Sequence, residues 1–295
     1  MSFVRRLFGK PEAKLTEPEA STETTEVGTR AARPPVPRAP HLLAGSATDI
    51  GQVRSHNEDV LLTLVAEQLG DNALDAFGLF ILADGMGGHQ AGEVASSLAA
   101  RTVAREIIEH VYAPYLVHGR PDASQTPLTE ALTQAVDEAS KMVYNNVPGG
   151  GTTLTSVLIV NDRAVFAHVG DSRAYLYHQG KLRQVTKDHS YVDKLVELGQ
   201  LTAEEAAVHP QKNVLYRAVG QEGHLEVDTH LETIPSGGRL LLCSDGLWSM
   251  IADDEIGRIL GSAATPQAAC DELVVAANAA GGRDNITAVV VEVDV

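Results

Sequence analysis

Between residues 152 and 186, four apolar runs follow one another with almost nothing between them. TTLTSVLIV is joined to AVFAHVG through Asn161-Asp162, and RAYLYH to KLRQVT through Gln179-Gly180. A parallel crossover needs about a dozen residues or more, so hops this short predict antiparallel pairing. That excludes a doubly wound parallel sheet. Other runs read as strands at 42–48, 60–65 and 77–83, in RLLLC ahead of Asp245, and in the closing ITAVVVEV. Helical spacing predicts helices from about Ala91 to Val111 (Val94, Leu98, Val103, Ile107, Val111) and after an N-cap at Thr126 with Pro127 (Leu128, Leu132, Ala135, Ala139, Met142). Two more are expected near 252–260 and 266–280. The fold class is therefore α+β, with two antiparallel β-sheets covered by helices.

Residues 1–40 differ from the rest. They hold six of the 13 prolines and end in ARPPVPRAP. Such a stretch buries too little apolar area to offset ordering, which predicts a disordered or polyproline-like tail and a folded domain over 41–295. The head Phe3-Val4-Arg5-Arg6-Leu7-Phe8 reads as solvated, and no apolar segment behind it suggests a secretory signal. Residues 187–220 are polar and irregular with a helix inside, as a mobile lid would be.

The chain carries a net charge of −16, and its first 40 residues contribute +2 (seven Lys/Arg against five Asp/Glu), leaving −18 for the remainder. This disfavours nucleic acid, which binds through cationic contacts to phosphates. No window approaches the roughly 18 apolar residues of a membrane span. Cys243 and Cys270 sit singly in apolar settings, as buried reduced thiols in the cytoplasm would.

The apolar run FILADGMGGHQAGE stops on Asp84-Gly85. A second strand ends on Asp245-Gly246, Asp284 stands just before the last strand, and Asp59 opens another. Aspartate is a poor strand residue, and an unpaired carboxylate near a core is costly. All-oxygen ligands without cysteine or a histidine pair suit a hard cation, Mg²⁺ or Mn²⁺. Gly85, lacking Cβ, would bring its carbonyl close to such an ion. Each Asp-Gly is also an everyday turn, and at this point both readings stand. No Cys-x5-Arg loop, no DxDxT and no phosphate-cradling GxxxxGK[ST] occurs.

RSHNED (54–59), DGMGGHQAGE (84–93), GGTTL (150–154), HVGDSRAYL (168–176), KDHS (187–190), SDGLW (244–248) and RDNITAVVV (283–291) occur in that order. Over residues 42–295 the chain resembles the metal-dependent protein phosphatases of type 2C, most of all their bacterial branch. The resemblance implies a central β-sandwich flanked by helices, with two Mn²⁺ or Mg²⁺ ions sharing an activated water. Asp84 matches the bridging ligand, the Gly85 carbonyl binds the second metal, and Asp245 and Asp284 bind the first. Asp59 and Glu58 hold the metals partly through waters, and Asp171 matches a third, weaker site. Arg54 matches the phosphate-gripping arginine.

His89 is a candidate general acid, although Met86-Gly87-Gly88 separate it from Asp-Gly, whereas the animal members place histidine there directly. It could instead cap the helix or bond a ligand. His168 and His189 fit structural or lid roles, and Gly87 and Gly88 the turn into the helix. The expected activity is hydrolysis of phosphoserine and phosphothreonine on proteins, by a monomer opposing a Ser/Thr kinase. The alternative is a catalytically silent phosphoprotein-binding regulator of the same fold.

Overall fold

A computed structural model describes residues 41–68, 73–87, 90–119 and 126–294. The expected tail at 1–40 lies outside the described residues. The strands are β1 His41–Asp49, β2 Asp59–Ala66, β3 Phe77–Met86, β4 Gly151–Thr152, β5 Leu154–Val160, β6 Arg163–Val169, β7 Arg173–His178, β8 Lys181–Gln184, β9 Asp228–Thr233, β10 Arg239–Cys243 and β11 Ile286–Asp294. The helices are α1 Ala91–Ile107, α2 Ala113–His118, α3 Leu128–Asn146, α4 Tyr191–Glu197, α5 Ala203–Ala207, α6 Asp245–Trp248, α7 Asp253–Ser262 and α8 Pro266–Ala279.

One sheet has the order β1-β11-β10-β7-β8 and the other β2-β3-β5-β6-β9, with β4 beside β3. Every pairing is antiparallel. Period-two alternation explains the layers. In β11, Val289, Val291 and Val293 point between the sheets, where Phe80, Val157, Phe166 and Leu242 meet them. Ala288 and Val290 point the other way, against α7 and α8 through Ile256, Ile259 and Leu273. Leu79 and Ile81 of β3 face the opposite helical layer, with Val103 of α1 and Leu132 of α3. Two sheets thus pack face to face between two helical layers. Each fully buried aliphatic chain contributes roughly 1.5–3 kcal/mol to this core.

Several local expectations need correction. AVFAHVG and RAYLYH do not pair, because β6 and β7 lie in different sheets and residues 170–172 cross between them. A hop of three residues fits a step between stacked sheets as well as a hairpin, and length alone cannot separate the two. The buried face of α1 is Ala95, Ala99, Ala100, Val103 and Ile107, while Val94 is exposed. Small residues let this helix sit close to β3, which a stripe of large residues does not reveal. Beyond Ile107 the helix continues through a wider π turn, Ile108–Tyr112, into α2. Pro127, not Thr126, caps α3, without a side-chain bond. The 187–220 segment holds two short helices, α4 and α5, each closed at its N-terminus by a hydroxyl, from Ser190 and Thr202.

Candidate metal and phosphate site

The five expected aspartates and Arg54 come together at one end of the sandwich. Asp59 opens β2 and Asp84 lies near the end of β3, and the register sets them opposite each other. From the other sheet, Asp245 opens α6 directly after β10, and Asp284 precedes β11. The crossover between sheets carries Asp171 to the same end. Charge interactions connect all five: Asp59, Asp245, Asp171 and Asp284 each act on Asp84.

Backbone clamps hold these carboxylates in place. Thr153 Oγ1 accepts from the Asp84 amide at 3.0 Å, while Thr152 Oγ1 and the Thr153 amide donate to the Asp84 carbonyl at 2.9 and 2.8 Å. Thr153 and Ser172 hydroxyls bond at 2.8 Å, joining this strand to the crossover. The Gly85 amide donates to the Glu58 carbonyl at 3.1 Å. A Cβ at Gly85 would overlap the Gly92 carbonyl at the start of α1, so only glycine permits this approach. Gly87 turns the chain toward α1 at φ 144°, as expected; Gly88 and His89 lie outside the described residues.

Asn285 organises the Arg54 loop. Its Oδ1 accepts from the Glu58 amide at 2.8 Å, and its Nδ2 donates to the carbonyls of Ile50 and His56 at 3.0 and 2.9 Å. Ser244 Oγ donates to Asp59 Oδ2 at 2.8 Å, which ties the two sheets together at the site. Arg54 Nη2 donates to Asp284 Oδ2 at 2.6 Å, with the arginine side chain 49% and the aspartate 32% exposed. The pair is an open mouth, not a sealed bridge.

The electrostatics are unbalanced. Burial, then neighbouring carboxylates, pushes Asp59 up to about 7, Asp245 to about 6 and Asp171 to about 8. Asp84 is raised by the same causes, and Glu58 is raised chiefly by burial. Arg54 and Lys212 oppose the rise at Asp245. Crowded buried carboxylates of this kind need either protons or a counter-ion.

The residues fit a hard cation. Every donor is oxygen, and buried Asp59 Oδ1 has no hydrogen-bond partner. Among the described residues, no three His, Cys, Asp or Glu side chains close around one point as a finished ion cage. Arg54 instead engages the Asp284 carboxylate.

Sequence reasoning left no role for Ser244, Thr152, Thr153, Asn285, Lys212 or Trp248. All but Lys212 lie inside the quoted motifs, the one signal that could have found them. His168 and His189 are buried in the interior, as a structural role requires. Thr155 bonds His168 Nδ1 at 2.9 Å, the Lys187 carbonyl lies 2.9 Å from its Nε2, and burial, then His189, lowers it to about 3. His189 Nδ1 accepts from the Gly170 amide at 3.1 Å, steadying the crossover beside Asp171.

The profile of the family described as protein phosphatase 2C matches residues 58–275. Arg54 and Asp284 fall outside that span and are placed by the fold alone. A serine/threonine phosphatase of Listeria monocytogenes is 39% identical over 252 residues, covering 84% of this chain and 94% of its own. The crystal structure of the Streptococcus agalactiae serine/threonine phosphatase superposes with a TM-score of 0.71 at 35% identity, covering 85% of this chain and 99% of that one. The catalytic domain of the phosphatase PstP, solved with two manganese ions, gives 0.68 at 33% identity, covering 87% and 100%. With the family profile spanning most of the sandwich, and relatives this similar along nearly their whole length, the chain belongs to the protein phosphatase 2C family.

Proposed function

We propose that this chain is a metal-dependent phosphatase that hydrolyses phosphoserine and phosphothreonine on proteins. The observation that carries the reading is the set of five aspartates, drawn from both sheets, with the inward oxygen of Asp59 left without a partner. Asp59, Asp84, the Gly85 carbonyl, Asp245 and Asp284 would hold two ions, Mn²⁺ or Mg²⁺, with Glu58 supporting them and Asp171 serving a third. Such ions, when bound, supply an activated water and neutralise charge on the phosphoryl oxygens.

The chain's own residues supply the rest. Arg54, half-exposed beside Asp284, has further N–H groups to grip two phosphoryl oxygens. His89 is the proposed proton donor to the leaving seryl or threonyl oxygen. A covalent route through cysteine has no candidate: Cys243 and Cys270 are buried, and burial pushes both thiols up, Cys270 to about 12.

The substrates are proposed to be targets of a Ser/Thr kinase of the same cell, met in the cytoplasm by a monomer whose catalytic domain is 41–295. The exposed mouth at Arg54 and Asp284 supports a protein-borne phosphate over a deeply enclosed small molecule. The silent-regulator alternative is disfavoured because all five aspartates are retained. The test is hydrolysis of a phosphothreonine peptide with Mn²⁺, with Mg²⁺ and with excess EDTA, against Asp84→Asn. Turnover that needs the ion and Asp84 is expected; folded protein inert with both ions would overturn the reading.

A further inference from the structure

Trp248, the one tryptophan of the chain, ends the short helix α6 that Asp245 begins. Its indole Nε1 donates to the backbone carbonyl of Asp171 at 3.0 Å. The Arg173 guanidinium lies over the indole, with Cζ 3.6 Å from the ring centroid. Arg173 is itself fixed: Nε and Nη2 donate to Asp188 Oδ1 and Oδ2 at 3.0 and 2.8 Å, and Nη1 to Tyr175 Oη at 3.1 Å. The crossover bearing Asp171 is thus tied on one side to α6. On the other it is tied to His189, whose amide donates to the Gly170 carbonyl at 2.7 Å.

The like-charged side chains of Asp171, on the crossover, and Asp245, after β10, repel, and a three-residue crossover has little of its own to resist the push. A tryptophan needed only for packing could leave its N–H to solvent, since Trp248 is only half-buried. Here the N–H is directed at the main chain of the very residue whose carboxylate feels the charge of Asp245. We infer that Trp248 is a positioning residue that sets the distance between Asp171 and Asp245, presenting Asp171 to a divalent cation. The inference rests on the metal reading above and adds to it a residue that touches neither ion nor substrate.

The test uses the full chain, stripped with EDTA and titrated with Mn²⁺ by calorimetry. Trp248→Phe keeps a ring under Arg173 and removes the donor, Asp171→Asn removes the carboxylate, and the double variant closes the cycle. Asp171→Asn defines which part of the isotherm belongs to Asp171. Trp248→Phe should weaken that part about tenfold, as outer-shell partners of metal ligands do. It should leave the remainder unchanged, and add nothing in the Asp171→Asn background. KM for a phosphothreonine peptide should stay at the wild-type value, with the lost turnover recovered at high Mn²⁺. In the wild type, emission from the lone tryptophan should change over the same Mn²⁺ range, a readout that needs no variant to fold.

An isotherm of Trp248→Phe matching wild type overturns the inference. So does an equal weakening of every binding event, an effect that persists without Asp171, or tryptophan emission unmoved by Mn²⁺. Wild-type protein that binds no Mn²⁺ sinks the metal reading itself, a separate result from any of these.

Discussion

Asp59 and Asp84 stand directly opposite each other across the β2–β3 pair. Like charges so placed destabilise a sheet by about 0.2–1 kcal/mol even at its surface. Here both are also desolvated. Asp59→Asn removes one charge and keeps the shape. In EDTA the variant should melt about 2–4 °C above wild type if it gains about 1 kcal/mol. Its turnover of a phosphothreonine peptide should fall at least about a hundredfold, as expected for a lost metal-site carboxylate. Melting below wild type with normal turnover would show that the pair needs no counter-ion.

Arg54 bonds Asp284 yet is half-exposed. Replacing it with alanine should raise KM for the peptide about tenfold, the scale of one charge-assisted contact. Arg54→Lys should recover only part of the loss, because an ammonium cannot fork two oxygens. Steady-state kinetics at saturating Mn²⁺ measure this, and an unchanged KM would remove the phosphate-gripping role.

Stability without metal should fall as pH rises. Asp59, Asp171 and Asp245 have folded-state values of about 7, 8 and 6, above the ordinary carboxylate value of 3.8. The folded protein therefore keeps protons that the unfolded chain releases, and ionising these groups costs the folded state between about pH 4 and 8. The stability is fully present below about pH 4 and is lost as pH climbs through the folded values. Melts of EDTA-treated protein should drop across that window, and the stabilisation by Mn²⁺ should grow with pH. A flat profile would mean that the carboxylates are not crowded in solution.

Asn285 uses both donors and its acceptor on the loop that carries Arg54 and Glu58. Asn285→Ala leaves the Glu58 amide and two carbonyls to find new partners, at about 1–3 kcal/mol for each that stays buried. Thermal melts should show the lower stability, and KM should rise with it because Arg54 is no longer held in place. A destabilised variant with wild-type KM would limit Asn285 to folding.

The sequence showed most strands as apolar runs, because β3, β5, β10 and β11 are buried on both faces and built mainly of apolar residues. β9 was invisible for the opposite reason: DTHLET at the sheet edge alternates exposed with half-buried positions and has one aliphatic residue. Asp245, read as ending a strand, instead opens α6, which was missed because four residues are too few to display helical spacing. The clustered aspartates were legible because carboxylates at strand ends are expensive and conspicuous. Their supports were not, because Ser244 reaches Asp59 across 185 positions of sequence and Asn285 reaches Glu58 across 227. Local pattern carries no information on which distant strand end will arrive beside it. The two-sheet crossover at Asp171 falls in the same class.

Among the described residues β11 is the last strand, yet it lies inside its sheet, between β1 and β10. Asp284 enters the site on its leading edge, and β1 has no partner in that sheet until β11 arrives. A chain cut before Asp284 would keep Asp59, Asp84, Asp171 and Asp245, yet lose the fifth carboxylate of the cluster and the strand that pairs β1 at one stroke.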